Sequence, residues 1–186
     1  MSIAKEGGYM KNLFKGIVSA ALIGTMMLSA AGCVRFSVID YDDFVDALEE
    51  EASLKKSACT KGTNRRHEGY QMTRYIEGAK GKARFAFYEF DDEDDAVEMF
   101  EKQYDNYIDN LDNDEDFSGT HKEDFDEDSA TGYILIDGEN EDSGATVYGG
   151  IYLKENTIVM AMAMNGKDKD VDRVKGVLGA IGYPKP

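Results

Sequence analysis

Cysteine and histidine are nearly missing: each occurs only twice in the 186 residues. Two cysteines are too few for a disulfide framework. Neither His67 nor His121 has another histidine or a cysteine at metal-ligand spacing, so a zinc site has no support. There is no G-x-S-x-G nucleophile elbow, no phosphate-binding loop and no dinucleotide fingerprint. Carboxylates are so abundant that their number says nothing about paired acid–base chemistry. No residue is therefore singled out as catalytic.

Basic residues are also scarce. Of 21 Lys and Arg, three (Lys5, Lys11 and Lys15) precede position 33, and of 37 Asp and Glu only Glu6 does, so the remainder carries twice as many acidic as basic side chains. Phosphate binding needs net positive surface, so nucleic acid is excluded as a partner, and general adhesion to anionic lipid is disfavoured. Hydrophobic residues still make up 42% and aromatics 11% of the chain. That composition folds, and residues 33–186 are enough for one domain without metal or disulfide staples.

One long uncharged run is present, Gly16 to Gly32, preceded by Lys11 and Lys15. A basic region, an apolar region and a small-residue end are the parts of a secretory signal. The run closes on Ala30-Ala31-Gly32-Cys33, which resembles the lipobox of bacterial lipoproteins. The resemblance implies that the Cys33 thiol receives a diacylglyceryl group and that cleavage before it makes Cys33 the new N-terminus. One departure stands out: Ala30 occupies the position three before the cysteine, where leucine is usual. Residues 1–32 are then a signal peptide, 33–38 a short tether and 39–186 the domain. The expected location is the extracytoplasmic face of the cell membrane, reached through lipid on Cys33, since two acyl chains give stable anchoring. Left uncleaved, the run is close to the ~18 residues of a membrane span. Lipid on Cys33 leaves Cys59 an ordinary thiol; an unlipidated Cys33 could bridge to it only with Cα atoms within roughly 7 Å. Met10 opens a compact Met10-Lys11-Asn12-Leu13-Phe14-Lys15 segment and is the expected true start, because the codons for Lys5 to Gly8 can spell a purine-rich ribosome-binding run.

Beyond the tether, periodicity predicts an α+β fold. Asp40 to Lys56 reads as a helix with Tyr41, Phe44, Val45, Leu48 and Ala52 on one face. Ala58 to Glu68 is polar and reads as a loop. Gly69 to Glu77 alternates as a strand, with Tyr70, Met72, Arg74 and Ile76 opposed to Gln71, Thr73 and Tyr75. Ala83 to Phe90 is apolar on both faces, as a central strand covered on two sides would be. Asp92 to Leu111 is an amphipathic helix, and Asp112 to Ala130 reads as acidic loop. Thr131 to Asp137, Ala145 to Lys154 and Thr157 to Met164 read as strands, and Lys167 to Gly182 as a closing helix. The order α-β-β-α-β-β-β-α gives an antiparallel sheet of about five strands packed against helices. Ala161, Ala163, Gly176 and Gly179 are expected to bring the last helix close to the sheet. Met160, Met162 and Met164 share a strand face and read as core filler. From Tyr133 to Ile181 the pattern of strand, acidic loop, paired strands and helix resembles the ending of PsbP-like domains. That resemblance implies an antiparallel sheet between helices and no particular activity.

Charge is unevenly spread. Lys55 to Arg84 contains nine basic and two acidic residues, whereas Glu89 to Asp142 contains 23 acidic residues against Lys102 and Lys122. On a short tether, Lys55, Lys56, Lys61, Arg65 and Arg66 are expected to face anionic headgroups. Asp112, Asp114, Asp116 and Glu123 match four ligand positions of an EF-hand loop and are the candidate Ca²⁺ ligands, although Phe117 stands where that loop needs glycine. The functional expectation is a membrane-tethered, non-catalytic module that binds an envelope or protein partner; the alternative is a small-ligand or Ca²⁺-binding domain.

Overall fold

The computed structural model describes residues 35–67, 69–112 and 116–186. Cys33, and with it the whole leader, lies outside the described residues. In chain order the elements are α1 (Tyr41–Glu50), a 3-10 turn (Lys56–Ala58), β1 (Thr60–His67), β2 (Tyr70–Lys80), β3 (Ala83–Phe90), α2 (Glu93–Asp112), β4 (Phe117–Asp126), β5 (Thr131–Asn140), β6 (Ala145–Lys154), β7 (Thr157–Met164) and α3 (Asp168–Ala180). The α+β class follows the prediction. The sheet has seven strands rather than about five, all antiparallel, in the order β1-β2-β3-β7-β6-β5-β4. Only the β3–β7 pairing joins strands that are not consecutive in the chain.

The two unpredicted strands, β1 and β4, are the two edges. An edge strand needs little apolar surface, and charged side chains protect it from adventitious pairing. In β4 the period is still there: Phe117, His121, Glu123 and Phe125 are half-buried, while Ser118, Thr120, Lys122, Asp124 and Asp126 are exposed. Because the inward set includes a histidine and a glutamate, hydropathy does not reveal it. α1 is shorter than predicted. Ser53 turns the chain at φ 51°, and the Leu54 N–H closes onto the Leu48 carbonyl at 2.9 Å, burying Leu54.

The sheet separates two cores. On one face α1 and α3 cover Ile76, Phe85, Phe87, Tyr133, Leu135, Tyr152, Val159, Ala161 and Ala163. On the other, α2 lies with Ala96, Val97, Phe100 and Tyr107 in a core that includes Met72, Phe90, Ile134, Ile136, Ile151, Ile158 and Met162. Met162 is thus core filler, with Met160 packed beside it. β2 departs from simple alternation. A register shift between Met72 and Arg74 leaves Thr73 unpaired, and its hydroxyl donates to the Glu89 carbonyl at 3.1 Å. This bulge puts Tyr70, Met72 and Tyr75 together on the α2 face and Ile76 on the other. Arg74 ends 5.4 Å from the Tyr41 ring.

The expected close approach of the α3 glycines to the sheet is not what occurs. Val174, Val177 and Leu178 make that contact. A Cβ on Gly176 would meet the Glu51 side chain, and one on Gly179 would meet Lys185 Nζ at 2.9 Å. Lys185 can move aside, and a helical glycine is itself costly. Gly179→Leu should therefore change stability by no more than about 1 kcal/mol in either direction. A thermal melt showing a loss above about 2 kcal/mol would put Gly179 back against the sheet.

Both ends of the described chain converge on β6. The Phe36 ring lies 5.8 Å from Tyr152 and 4.8 Å from Tyr183. Tyr152, fully buried, donates its hydroxyl to the Pro184 carbonyl at 2.6 Å. Among the described residues, packing begins at Phe36.

Candidate functional site

Of the candidate Ca²⁺ ligands, Asp116 and Glu123 are not brought together. Asp112 is the last residue of α2, and Asp114 lies outside the described residues. Asp116 immediately precedes β4, while Glu123 is well inside it. Seven residues of extended strand, about 23 Å, separate those two, whereas one Ca²⁺ takes its ligands at roughly 2.3–2.6 Å. Glu123 instead approaches His121, Oε2 to Nε2 at 3.7 Å. Among the described residues no three His, Cys, Asp or Glu converge as metal ligands.

The basic residues follow one another along one edge of the sheet: Lys55 and Lys56 at the turn before β1, and Lys61, Arg65 and Arg66 in β1. Lys61 Nζ donates to the Lys56 carbonyl at 3.0 Å, and Arg66 Nε to that of Gly69 at 3.1 Å. Arg65 lies over Tyr75 at 5.1 Å and Lys56 over Tyr41 at 4.8 Å. The acidic β4 is the opposite edge, about 29 Å away across six strand spacings. Cys59 is half-buried, and burial pushes its thiol up, away from the reactive thiolate.

An open recess arises where helical cover ends. On the α1/α3 face, β5 runs through buried Tyr133 and Leu135 to exposed Asp137 and Glu139. Asp137 is the cross-strand partner of Tyr148, and Glu139 that of Thr146 and of Ser118 in β4. Asp168, Val171 and Lys175 follow one another at three and four residues and so share one face of α3. With Gly166, these residues bound an open groove of about 410 Å³. Tyr148 pairs with Ala163 across β6–β7.

Three carboxylates (Asp137, Glu139 and Asp168) and one ammonium (Lys175) line the groove, so its net charge is negative. Lys175 Nζ sits 4.9 Å from the Tyr148 ring centroid, within cation–π range. Tyr148 is only 6% exposed. Burial raises its phenol above the ordinary range, and the adjacent Asp137 charge raises it further. Tyr88 and Tyr152 each donate to an oxygen, Glu77 Oε1 and the Pro184 carbonyl. The Tyr148 hydroxyl has no hydrogen-bond partner among the described residues.

Sequence reasoning did not find this groove. One signal was present: a single strand face changes from Tyr133 and Leu135 to Asp137 and Glu139, which marks where burial stops. Nothing in the sequence places Lys175 beside Tyr148. Compared with known proteins, the chain matches no family model, no curated protein and no solved structure.

Proposed function

We propose that this chain is an exported lipoprotein, anchored through Cys33, whose folded domain is a non-catalytic binding module held against the membrane surface. The observation that carries this reading is the packing of Phe36 onto Tyr152 and Tyr183. Only Val34 and Arg35 then separate Phe36 from the proposed lipid-bearing cysteine, a reach of about 10 Å even when extended. A domain so tethered cannot roam, and anionic headgroups favour the basic β1 flank over the acidic β4 edge.

Mass spectrometry of the mature protein is the test, with Cys33→Ala as the control. The expected result is an N-terminus at Cys33 heavier by a diacylglyceryl group, and loss of that modified N-terminus in Cys33→Ala. A mature chain beginning elsewhere, or an unmodified Cys33, overturns the proposal.

The small-ligand reading is favoured by a different observation. The groove at Tyr148 offers a nearly buried ring and an unengaged hydroxyl beside several charges. Both readings describe a binding domain, and only the first depends on Cys33.

A further inference from the structure

We propose that copies of this chain associate head to tail, the basic edge strand β1 of one copy docking beside the acidic edge strand β4 of the next. This goes beyond the tethered module above and rests on the two sheet edges, not on Cys33.

Both outer strands leave the ladder open. Among the described residues β1 pairs only with β2, and β4 only with β5. Each therefore turns a row of backbone N–H and C=O groups away from the sheet, and such a row is a template for a further strand. The two edges are of similar length, eight residues against ten.

Charge selects which strand can be added. β1 carries Lys61, Arg65 and Arg66 and no carboxylate. β4 carries Glu123, Asp124 and Asp126 against Lys122, and Glu127 and Asp128 follow it directly. Among the described residues, none of Lys61, Arg65, Arg66, Asp124 and Asp126 makes an ion pair. Two β1 edges brought together would oppose like charges, and so would two β4 edges; like charges across a ladder destabilise it, whereas opposite charges support it. The charges that guard each edge against its own kind thus favour the other edge. Asn64, at φ 50°, and Gly119, at φ 154°, interrupt the two strands. Those interruptions shorten a regular ladder and leave the charge pairs to decide its partner. Because β1 and β4 are different patches, a joined pair still presents one free β1 and one free β4, so growth continues past the dimer.

The experiment is sedimentation velocity of the full chain in density-matched nonionic detergent. An ionic strength of about 0.1 M screens charges more than roughly 10 Å apart and leaves close pairs intact. The expected result is a mass that rises with concentration beyond that of a dimer. Lys61→Glu combined with Arg66→Glu should weaken association about 10-fold or more, and so should Asp124→Lys combined with Asp126→Lys. The second pair is decisive. It makes an acidic chain less negative, so general repulsion between copies falls and association would tighten unless the β4 edge itself makes the contact. Asp46→Lys with Glu50→Lys, the same change of charge on α1, should not weaken association. Mixing the two edge-reversed chains should restore it, because each offers the edge the other needs. All six substituted positions are exposed, so the variants should melt with the parent; if one edge pair disturbs folding, the other decides. A parent that stays monomeric, a plateau at a closed dimer, or an Asp124/Asp126 variant that associates as tightly as the parent overturns the proposal. Cys33→Ala should associate like the parent, so failure of the lipid anchor and failure of the edge contact are separately visible.

Discussion

A chain carrying Gly149→Val should lose its cooperative thermal transition and accumulate as insoluble protein. Gly149 lies in β6, between β5 and β7. Its φ is 133°, a conformation that side-chain-bearing residues rarely adopt. A Cβ there would run into the Ala161 carbonyl oxygen and approach Met162 Cα at 2.8 Å. These are backbone atoms of the paired strand, so no rotamer change relieves the clash. The next residue is equally confined, since a Cβ on Gly150 would lie 2.7 Å from the Ile134 carbonyl oxygen in β5. The two glycines let β6 sit tightly between its neighbours. Forcing a β-branched side chain in should cost more than about 4 kcal/mol, a large part of the roughly 5–15 kcal/mol that holds a domain together. Gly144, at φ 63° and with nothing within 4 Å of where a Cβ would lie, is the control. Gly144→Ala should cost about 1 kcal/mol, from backbone strain alone. A circular-dichroism melt placing Gly149→Val within a few degrees of the parent would refute the close-approach argument.

Asp170→Ala should give the next largest loss, about 2–3 kcal/mol, or roughly 5–10 °C in melting temperature for a domain of this size. Asp170 is 3% exposed. One carboxylate oxygen accepts from Arg173 Nη1 at 2.7 Å, and the other from the Lys167 amide at 3.2 Å. Gly81, at φ 64° in the β2–β3 turn, brings the backbone up against the same carboxylate. The residue therefore ties the start of α3 to a distant hairpin. Burial alone would raise its pKa; the Lys167 and Lys82 amides and the Arg173 charge outweigh burial and hold it below the ordinary carboxylate value. A folded value below the unfolded one, near 3.9, means that the stabilisation is complete above the unfolded value. It is lost as pH falls through the folded value. The melting temperatures of parent and variant should stay a constant distance apart from pH 7 to about 5, and draw together below about 4. A gap that persists in strong acid would show that Asp170 acts through packing and not through its charge.

How much of this was readable in advance depended on how each residue is buried. β3 and β7 are apolar on both faces because helices cover both, and Phe85, Phe87, Ile158 and Val159 announced them. Thr60 to Arg66 and Phe117 to Asp126 lie on edges most of whose side chains meet water, so they carry the polarity of loops. The Thr73 bulge is a matter of register, which composition does not encode, and it overturned the expected facing of Tyr75. Spacing suited to a compact loop becomes a long separation once the chain is extended, and Glu123 lies on a strand. The groove required three elements to be placed at once. Only the switch from Leu135 to Asp137 was visible locally.

The single non-sequential pairing has a kinetic consequence. β1–β2–β3 and β4–β5–β6–β7 are two meanders, each zipped by short hairpins, and they meet only along β3 and β7. Hairpin contacts close quickly because their partners are near in sequence, whereas Ala83 must find Ala163 and Glu89 must find Thr157. The entropy of closing so long an intervening stretch is recovered only when both faces of that seam are buried, by α1 and α3 on one side and α2 on the other. Assembly of the seam is therefore the natural bottleneck of folding, and until it closes each meander exposes a flat, apolar inner strand, β3 or β7, to the solvent and to other copies of the chain.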